Sequence, residues 1–363
     1  MALTNLNLIS RFAEIGIHDR PTVGGKGASL GELARAGIRV PPGCVVTTAA
    51  FERFLTAIDP AGSIRREIEQ LAANDHSACT RVGAEVRARL ESTPLPEDLQ
   101  EEIAAHYSEL HAHRAGPEHD EPVAVRSSAT NEDSADASFA GLQDTYLWVR
   151  GVDSVIKHVR KCWASLYAVE SVMYRRRLKL PEQGLAMGVV IQRMIDSRSS
   201  GVMFTRSPNT GDRSVVVVEA SWGLGSAVVS GEVTPDKYAV GKITGEIISR
   251  TVSTKMRQHR PNAAGAGVLD EEVPADQQNA ACLSDDELHV LVDIAKRVER
   301  HYACPQDIEW AIARDRAPGE NVFLLQSRPE TVWAGRDATP VAAPKGKPFD
   351  HVFSLLGGGA FKR

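Results

Sequence analysis

Ala124-Val125-Arg126-Ser127-Ser128-Ala129-Thr130, running on through Asn131-Glu132-Asp133-Ser134-Ala135-Asp136-Ala137-Ser138-Phe139-Ala140-Gly141-Leu142-Gln143-Asp144-Thr145, is the stretch whose reading decides the fold. Val123-Ala124-Val125 is a short β-type run, and Arg126 leaves it into hydroxyl-bearing residues that neither strand nor helix favours. The pattern predicts a buried strand delivering a guanidinium to a polar, loop-built surface. A guanidinium presents forked donors that match phosphate oxygens in pairs, and nearby hydroxyls and backbone N–H groups complete such a cradle. The plainer alternative is a polar turn in which Arg126 pairs with Glu132, Asp133 or Asp136.

Around this stretch, 363 residues exceed a single ordinary core, so two or more domains are expected. Hydrophobic content of 42% and charged content of 25% are those of a soluble globular protein. A formal net charge of −5 and a pI near 6.1 argue against a nucleic-acid partner, whose binding leans on a basic surface. No apolar run approaches the roughly 20 residues that span a bilayer, and Met1-Ala2-Leu3-Thr4-Asn5-Leu6-Asn7 lacks the basic and apolar regions of a secretory leader. A cytoplasmic protein without membrane or nucleic-acid partners is the expectation. The five cysteines (Cys44, Cys79, Cys162, Cys282, Cys304) include no C-x-x-C pair and no histidine at finger spacing, and read as reduced packing thiols.

Upstream, Val23-Gly24-Gly25-Lys26-Gly27-Ala28-Ser29-Leu30-Gly31-Glu32-Leu33 places a lysine at the start of a helix after a glycine-rich turn, where anions bind. It is not a Walker loop, because Gly27 follows Lys26 and Arg20 stands where that loop needs glycine; a solvated lysine at a Gly-rich helix start is the alternative. Thr47 or Thr48 caps a helix through Phe51, Phe54 and Leu55, and residues 62–113 carry helical apolar spacing. His106, His111 and His113 have no carboxylate at metal-ligand spacing and read as surface histidines. Residues 152–174 predict one long amphipathic helix, with Arg175-Arg176-Arg177 complementing the dipole of its last turn.

Downstream, Leu185-Ala186-Met187-Gly188-Val189-Val190-Ile191-Gln192-Arg193-Met194-Ile195 is a nearly continuous apolar strand carrying Gln192, whose amide suits the edge of a nucleobase or, equally, a core hydrogen bond. Residues 201–208 and 215–226 give two more strands, the second running into Gly223-Leu224-Gly225-Ser226. Val228 occupies the place of the third glycine of a dinucleotide fingerprint, which counts against a dehydrogenase. Residues 257–280 read as a surface excursion, and Ser284 caps a helix with Asp285, Asp286 and Glu287 in its first turn.

The runs Asp307-Ile308-Glu309-Trp310-Ala311-Ile312-Ala313 and Val322-Phe323-Leu324-Leu325-Gln326-Ser327-Arg328 flank the reversal Arg316-Ala317-Pro318-Gly319. Pairing symmetric about Ala317 and Pro318 sets Glu309 opposite Gln326, and the two-residue strand period puts Arg328 on the same face. A carboxylate and an amide oxygen facing together can hold Mg²⁺ with phosphates completing its shell. A slip of one residue turns Gln326 away.

Residues 23–33, 41–51, 123–145, 201–226 and 307–332, in that order, resemble the nucleotide-binding region of the phosphoenolpyruvate synthase and pyruvate phosphate dikinase family. The resemblance covers nearly the whole chain. It implies an α+β, two-lobed ATP-grasp fold, with residues 1–190 as one lobe, 191–335 as the other and 336–363 as a tail. ATP and Mg²⁺ are the implied ligands. On matching positions Lys26 and Arg126 contact phosphates, Gly141 and Thr145 form the phosphate-side loop, and Gln192 and the Met194 backbone bound the adenine. Glu309 and Gln326 hold the metal, and Arg328 acts on the transferring phosphates; Lys26, Arg126 and Arg328 are the implied catalytic groups.

In this family phosphate leaves ATP, which ends as AMP and phosphate, for a histidine in a Gly-Gly-x-Thr-Ser/Cys-His type motif on a swivelling domain. None of the eleven histidines here lies in such a motif. The chain is therefore expected to load a phosphohistidine on a partner subunit that binds the acceptor, or to be a fragment. Phenylphosphate synthase, built from separate subunits, has a small ATP-binding subunit that looks like this chain; a truncated or split phosphoenolpyruvate synthase or rifampin phosphotransferase is the alternative. A noncatalytic nucleotide sensor is the rival of another class, disfavoured by the retention of Lys26, Arg126, Glu309, Gln326 and Arg328 together.

Overall fold

Gly24 interrupts the first helix with a backbone that other residues do not adopt (φ 72°, ψ 175°). Its Cα lies flat against the next layer, where an added Cβ would come within 1.9 Å of the Ser128 carbonyl oxygen. The Gly27 N–H donates to Ser128 Oγ at 3.1 Å, and that hydroxyl donates to the Val23 carbonyl at 2.8 Å. This clasp joins the glycine-rich turn to the strand that carries Arg126.

The computed structural model describes residues 7–110, 120–130, 133–134, 137–138 and 144–333. Met1–Glu330 forms one compact unit; of Thr331–Arg363 only residues 331–333 are described, so the tail expected at 336–363 lies outside them. In chain order the first elements are β1 (Ile9–Arg11), α1 (Arg20–Arg35), β2 (Gly43–Val46), α2 (Thr48–Ile58), α3 (Ser63–Gln70), α4 (His76–Ser92) and α5 (Glu97–Glu109). Next come β3 (Val123–Ala129), the short strands β4 (Asp133–Ser134) and β5 (Ala137–Ser138), β6 (Thr145–Val149), α6 (Val152–Ser165), α7 (Val169–Arg177) and β7 (Met187–Arg193). The remainder is β8 (Ser197–Phe204), β9 (Val215–Trp222), α8 (Ser226–Val229), β10 (Asp236–Gly241), β11 (Ile247–Thr251), β12 (Arg257–Pro261), β13 (Val268–Glu272), α9 (Asp285–Tyr302), β14 (Gln306–Ala313) and β15 (Val322–Pro329).

Two antiparallel sheets organise these elements, in the strand orders β1-β2-β7-β3-β6 and β11-β10-β9-β8-β14-β15. Helices cover the first sheet through a core in which the Trp163 ring lies 5.6 Å from Phe51 and 5.5 Å from Phe54, its indole N–H donating to the Met187 carbonyl. The second sheet buries Ile308, Trp310 and Ile312 against Leu288, Leu291 and Ala295 of α9. Each such large side chain contributes roughly 1.5–3 kcal/mol by leaving water. Helix α1 serves both: Leu30 packs on Val45 and Val190 of the first sheet, Leu33 joins the core of the second, and Ser29 Oγ donates to the Ser327 carbonyl at 2.7 Å. No helix among the described residues is long and apolar enough to cross a membrane.

Three local expectations are corrected. Arg126 lies in the middle of a strand instead of leaving it, because β7 pairs with β3 as far as Ala129 and the clasp to α1 uses Ser128. The helix over 152–174 breaks at Ala168, which is extended, and Gly83 lets the Tyr167 carbonyl approach α4 closely. The break frees the Leu166 carbonyl to accept from Arg175, which is fully buried on Glu182 at 2.9 Å and Ser171, an internal ion pair and not a dipole complement. Residues 257–280 contain the ribbon of β12 and β13, hidden in sequence because its cross-strand contact is an ion pair, Arg257 on Asp270, and not an apolar alternation.

The clasp sets a stability prediction. Gly24→Ala should cost at least about 3 kcal/mol, by backbone strain plus the clash with Ser128, whereas Gly37→Ala (φ 69°, open space around it) should cost only about 1 kcal/mol. Urea denaturation of the two variants measures the gap, and equal losses would show that the close approach is dispensable.

Candidate functional site

β14 and β15 pair with Glu309 opposite Gln326 and Asp307 opposite Arg328. Nearer the turn the ladder changes register, Trp310 pairing with Leu324, so Leu325 is an extra residue in β15. The expected Glu309–Gln326 pair thus forms, but the bulge makes it: the ladder next to the turn is centred on Ala317 alone and, continued unbroken, would set Glu309 against Leu325. Alternation does the rest. Ile308, Trp310 and Ile312 enter the core, while Asp307 and Glu309 share the opposite face with Gln326 and Arg328.

Arg126 reaches this face from the other sheet. Its Nη1 donates to the Leu325 carbonyl at 3.2 Å and its Nη2 to Gln326 Oε1 at 2.6 Å, with Glu309 Oε2 at 3.4 Å. The bulge therefore supplies two acceptors at once, the carbonyl of the extra residue and the amide of the next. The Arg126 side chain is 11% exposed, and its Nε has no hydrogen-bond partner among the described residues.

A cavity of about 580 Å³ opens beside the guanidinium, with Arg126, Thr145, Gln192, Met194 and Glu309 on its walls. Thr145 stands directly across from Arg126 in β6. Gln192 is buried between β2 and β3 and donates to the Pro41 carbonyl at 3.4 Å. The Met194 N–H donates to the Pro122 carbonyl at 2.8 Å, so a base contact at this residue falls to its carbonyl or side chain. Glu309 also lines a smaller cavity of about 270 Å³ together with Asp307, Gln326 and Arg328. Lys26 lines neither cavity, although the clasp ties its helix turn to β3 beside Arg126. Gly141 lies outside the described residues.

Asp307 joins this face as well, on the two-residue period it shares with Glu309. Its Oδ2 lies 3.5 Å from Arg328 Nε, and its buried Oδ1 has no partner among the described residues. Burial pushes its carboxyl up to about 6, Arg328 pulling down and Glu330 pushing up. The Leu325 carbonyl was invisible in sequence, since no residue type announces a bulge here.

Among the described residues no group of three or more His, Cys, Asp or Glu side chains is arranged to hold a metal ion. Glu309 Oε2 and Gln326 Oε1 nevertheless converge on one guanidinium nitrogen, which stands in for a cation between them. Two oxygen donors of this kind fit Mg²⁺, which takes one or two protein oxygens and completes its shell with phosphates and water.

Two antiparallel sheets joined through one helix, with charged side chains of both meeting at a shared cavity, define an ATP-grasp type of nucleotide-binding domain. The chain belongs to the family described as pyruvate phosphate dikinase, AMP/ATP-binding domain, which its residues 20–347 match. It is 43% identical over 323 residues to a probable phosphoenolpyruvate synthase of Methanothermobacter thermautotrophicus, covering 89% of this chain and 46% of that protein. It is 39% identical over 364 residues to a phosphoenolpyruvate synthase of Aeropyrum pernix, covering 93% of this chain and 44% of that protein. A rifampicin phosphotransferase of a Streptomyces species is 40% identical over 310 residues, covering 85% of this chain and 34% of that protein. The chain thus spans less than half the length of each of these relatives.

The Asp307 carboxyl gives a pH prediction. A carboxyl raised in the fold favours the neutral form, so the stability it contributes is present near pH 4 and is lost as pH rises through about 6. Asp307→Asn, neutral throughout, should therefore gain on the unsubstituted chain between pH 4.5 and 7.5 by on the order of 1–2 kcal/mol. Unfolding free energies at the two pH values decide it; a difference independent of pH would contradict the burial argument.

Proposed function

We propose that the chain binds Mg-ATP in the cavity beside Arg126 and is the phosphate-donating component of a phosphoenolpyruvate synthase-like phosphotransferase. The observation that carries this reading is the meeting of Arg126 from β3 with Glu309 and Gln326 from the β14–β15 hairpin. Phosphate oxygens answer the Nε–H of Arg126, which has no partner among the described residues, and a guanidinium that now shares two oxygens can turn to an anion when a cation takes its place. Glu309 and Gln326 would hold Mg²⁺, which when bound neutralises charge on the phosphates. Arg126 and Arg328, with Lys26 approaching from α1, stabilise the charge that phosphoryl transfer spreads over its oxygens. Gln192 and Met194 bound the adenine, and the two sheets, with α1 between them, are the lobes that hold the nucleotide.

The phosphate passes to a histidine nitrogen on a partner subunit or a further domain, which hands it to an acceptor bound there. For the acceptor, relatives named phosphoenolpyruvate synthase and rifampicin phosphotransferase support the ATP-binding part of such an enzyme; the small subunit of phenylphosphate synthase, favoured on the resemblance of the sequence, is a reading of the same domain that these relatives do not speak to. A cytoplasmic setting suits a chain that uses ATP. A noncatalytic sensor would need the pocket without the full set of phosphate and metal groups.

Glu309→Ala should weaken Mg-ATP binding at least about tenfold, roughly 1.4 kcal/mol, with circular dichroism unchanged, and should abolish ATP/AMP exchange driven by a histidine-bearing partner. Calorimetry and the exchange assay are the measurements. Near-normal exchange in that variant would refute the hairpin site, and Mg-ATP binding with no partner-dependent exchange in the unsubstituted chain would favour the sensor.

A further inference from the structure

Thr145, Leu147 and Ser226 stand on a wall shared by two cavities, the one of about 580 Å³ beside Arg126 and a second of about 520 Å³. The second is lined by Tyr146, Trp148, His158 and His259, residues with no part in the site described above. Ser226 opens α8, directly after the glycine turn that ends β9, and its hydroxyl is held from behind. Its Oγ lies 2.8 Å from His259 Nδ1, and His259 Nε2 lies 3.1 Å from Glu232 Oε2. The turn itself is pinned to β12: the Leu224 N–H donates to the His259 carbonyl at 2.8 Å, and Gly223 (φ 75°) rests against that carbonyl, where a Cβ would come within 2.3 Å. Asp270 stands opposite His259 in β13, but Arg257 takes its carboxylate at 2.9 Å, which leaves Glu232 as the carboxylate on the imidazole.

The donor and acceptor roles in this chain follow from its end. A carboxylate can only accept, so His259 Nε2 carries the proton that bonds Glu232. With the ring singly protonated, Nδ1 accepts, and Ser226 gives it the one proton its hydroxyl has. What Ser226 has left for a ligand is lone pairs. A serine free to rotate could donate or accept; this one is set as an acceptor on the wall of the nucleotide cavity.

An acceptor is wrong for phosphate, whose oxygens are acceptors themselves and are answered by Arg126. It is right for the nucleoside half, whose donors are the sugar hydroxyls and the exocyclic amine of the base. Leu147, Leu224 and Val229 line the same cavity as Ser226 and give such a hydrogen bond an apolar surround. We propose that Ser226 is a specificity-determining residue that accepts a hydrogen bond from a donor on the nucleoside half of the bound nucleotide, with His259 and Glu232 as positioning residues that fix the polarity of its hydroxyl. The inference rests on the nucleotide reading given under Proposed function.

The test is calorimetry on the full chain with the magnesium complexes of ATP, 2′-deoxy-ATP, 3′-deoxy-ATP and purine riboside triphosphate, which lacks the exocyclic amine. The unsubstituted chain should prefer ATP over one of the three analogues by about fivefold, the usual worth of a neutral hydrogen bond, and the analogue that loses affinity identifies the donor. Ser226→Ala should bind ATP and that analogue within about twofold of each other, and Ser226→Thr should restore the preference. Glu232→Gln, at a side chain 56% exposed, should blunt the preference without moving the thermal midpoint, because an amide can donate to Nε2 and release the Ser226 proton. Unchanged affinity ratios in Ser226→Ala would overturn the proposal while Mg-ATP binding stood. Absence of any Mg-nucleotide binding by the unsubstituted chain would instead remove the nucleotide reading, and this inference with it.

Discussion

A guanidinium carried by one sheet and received by another is the interaction on which the rest of the molecule depends. Arg126 is nearly buried, and a charge in that position needs acceptors. Directly beside it on β6 and β7 stand Thr145 and Val190, neither of them charged. The acceptors come from the other sheet: a carboxylate, an amide oxygen and a backbone carbonyl, two of them within 3.2 Å. Removing either side would strand a buried polar group, and such losses are several times larger than the net worth of a satisfied pair. The contact therefore holds the sheets in register at the cavity more firmly than it adds to stability.

Helix α1 is the mechanical counterpart of that contact. Its glycine-rich kink is clasped to β3 through Gly27, and two residues on, Ser29 bonds β15, so one element touches the strand that bears the arginine and the strand that receives it. Further along, Glu32 meets His301 of α9 at 2.7 Å, which adds a third attachment on the side of the second sheet. A helix fixed at three places slides relative to either sheet only by breaking hydrogen bonds, two of them buried. Lys26 rides on the most tightly held part of it.

Much of this was legible in the residues. Strand runs rich in valine and isoleucine, the Ser284–Glu287 capping box and the Thr47 cap all express local preferences that packing reinforces. Glu309 and Gln326 were read as a pair from a turn centred between Ala317 and Pro318, and the pair forms because the extra residue Leu325 makes up the difference from the ladder's actual centre at Ala317. What escaped was decided by partners distant in sequence. Ser127 and Ser128 are poor strand formers, yet β7 and α1 hold them in one; Arg175 looked like a helix-end cation, yet Glu182 and the Leu166 carbonyl draw it inside. Asp307 was visible beside Glu309 but carried no signal of burial, and Ser226, His259 and Glu232 share no pattern at all until β12 brings them together.

The extra residue in β15 has a consequence for how this hairpin can vary. Because the shift in pairing falls between the tip and Glu309, the alignment of Glu309 with Gln326 and of Asp307 with Arg328 is anchored from the sheet side, by β8 and α1, and not inherited from the loop. The tip is thereby insulated from the chemistry: sequence there can drift, or lengthen by a residue on each arm, while the four polar side chains keep facing the same hollow.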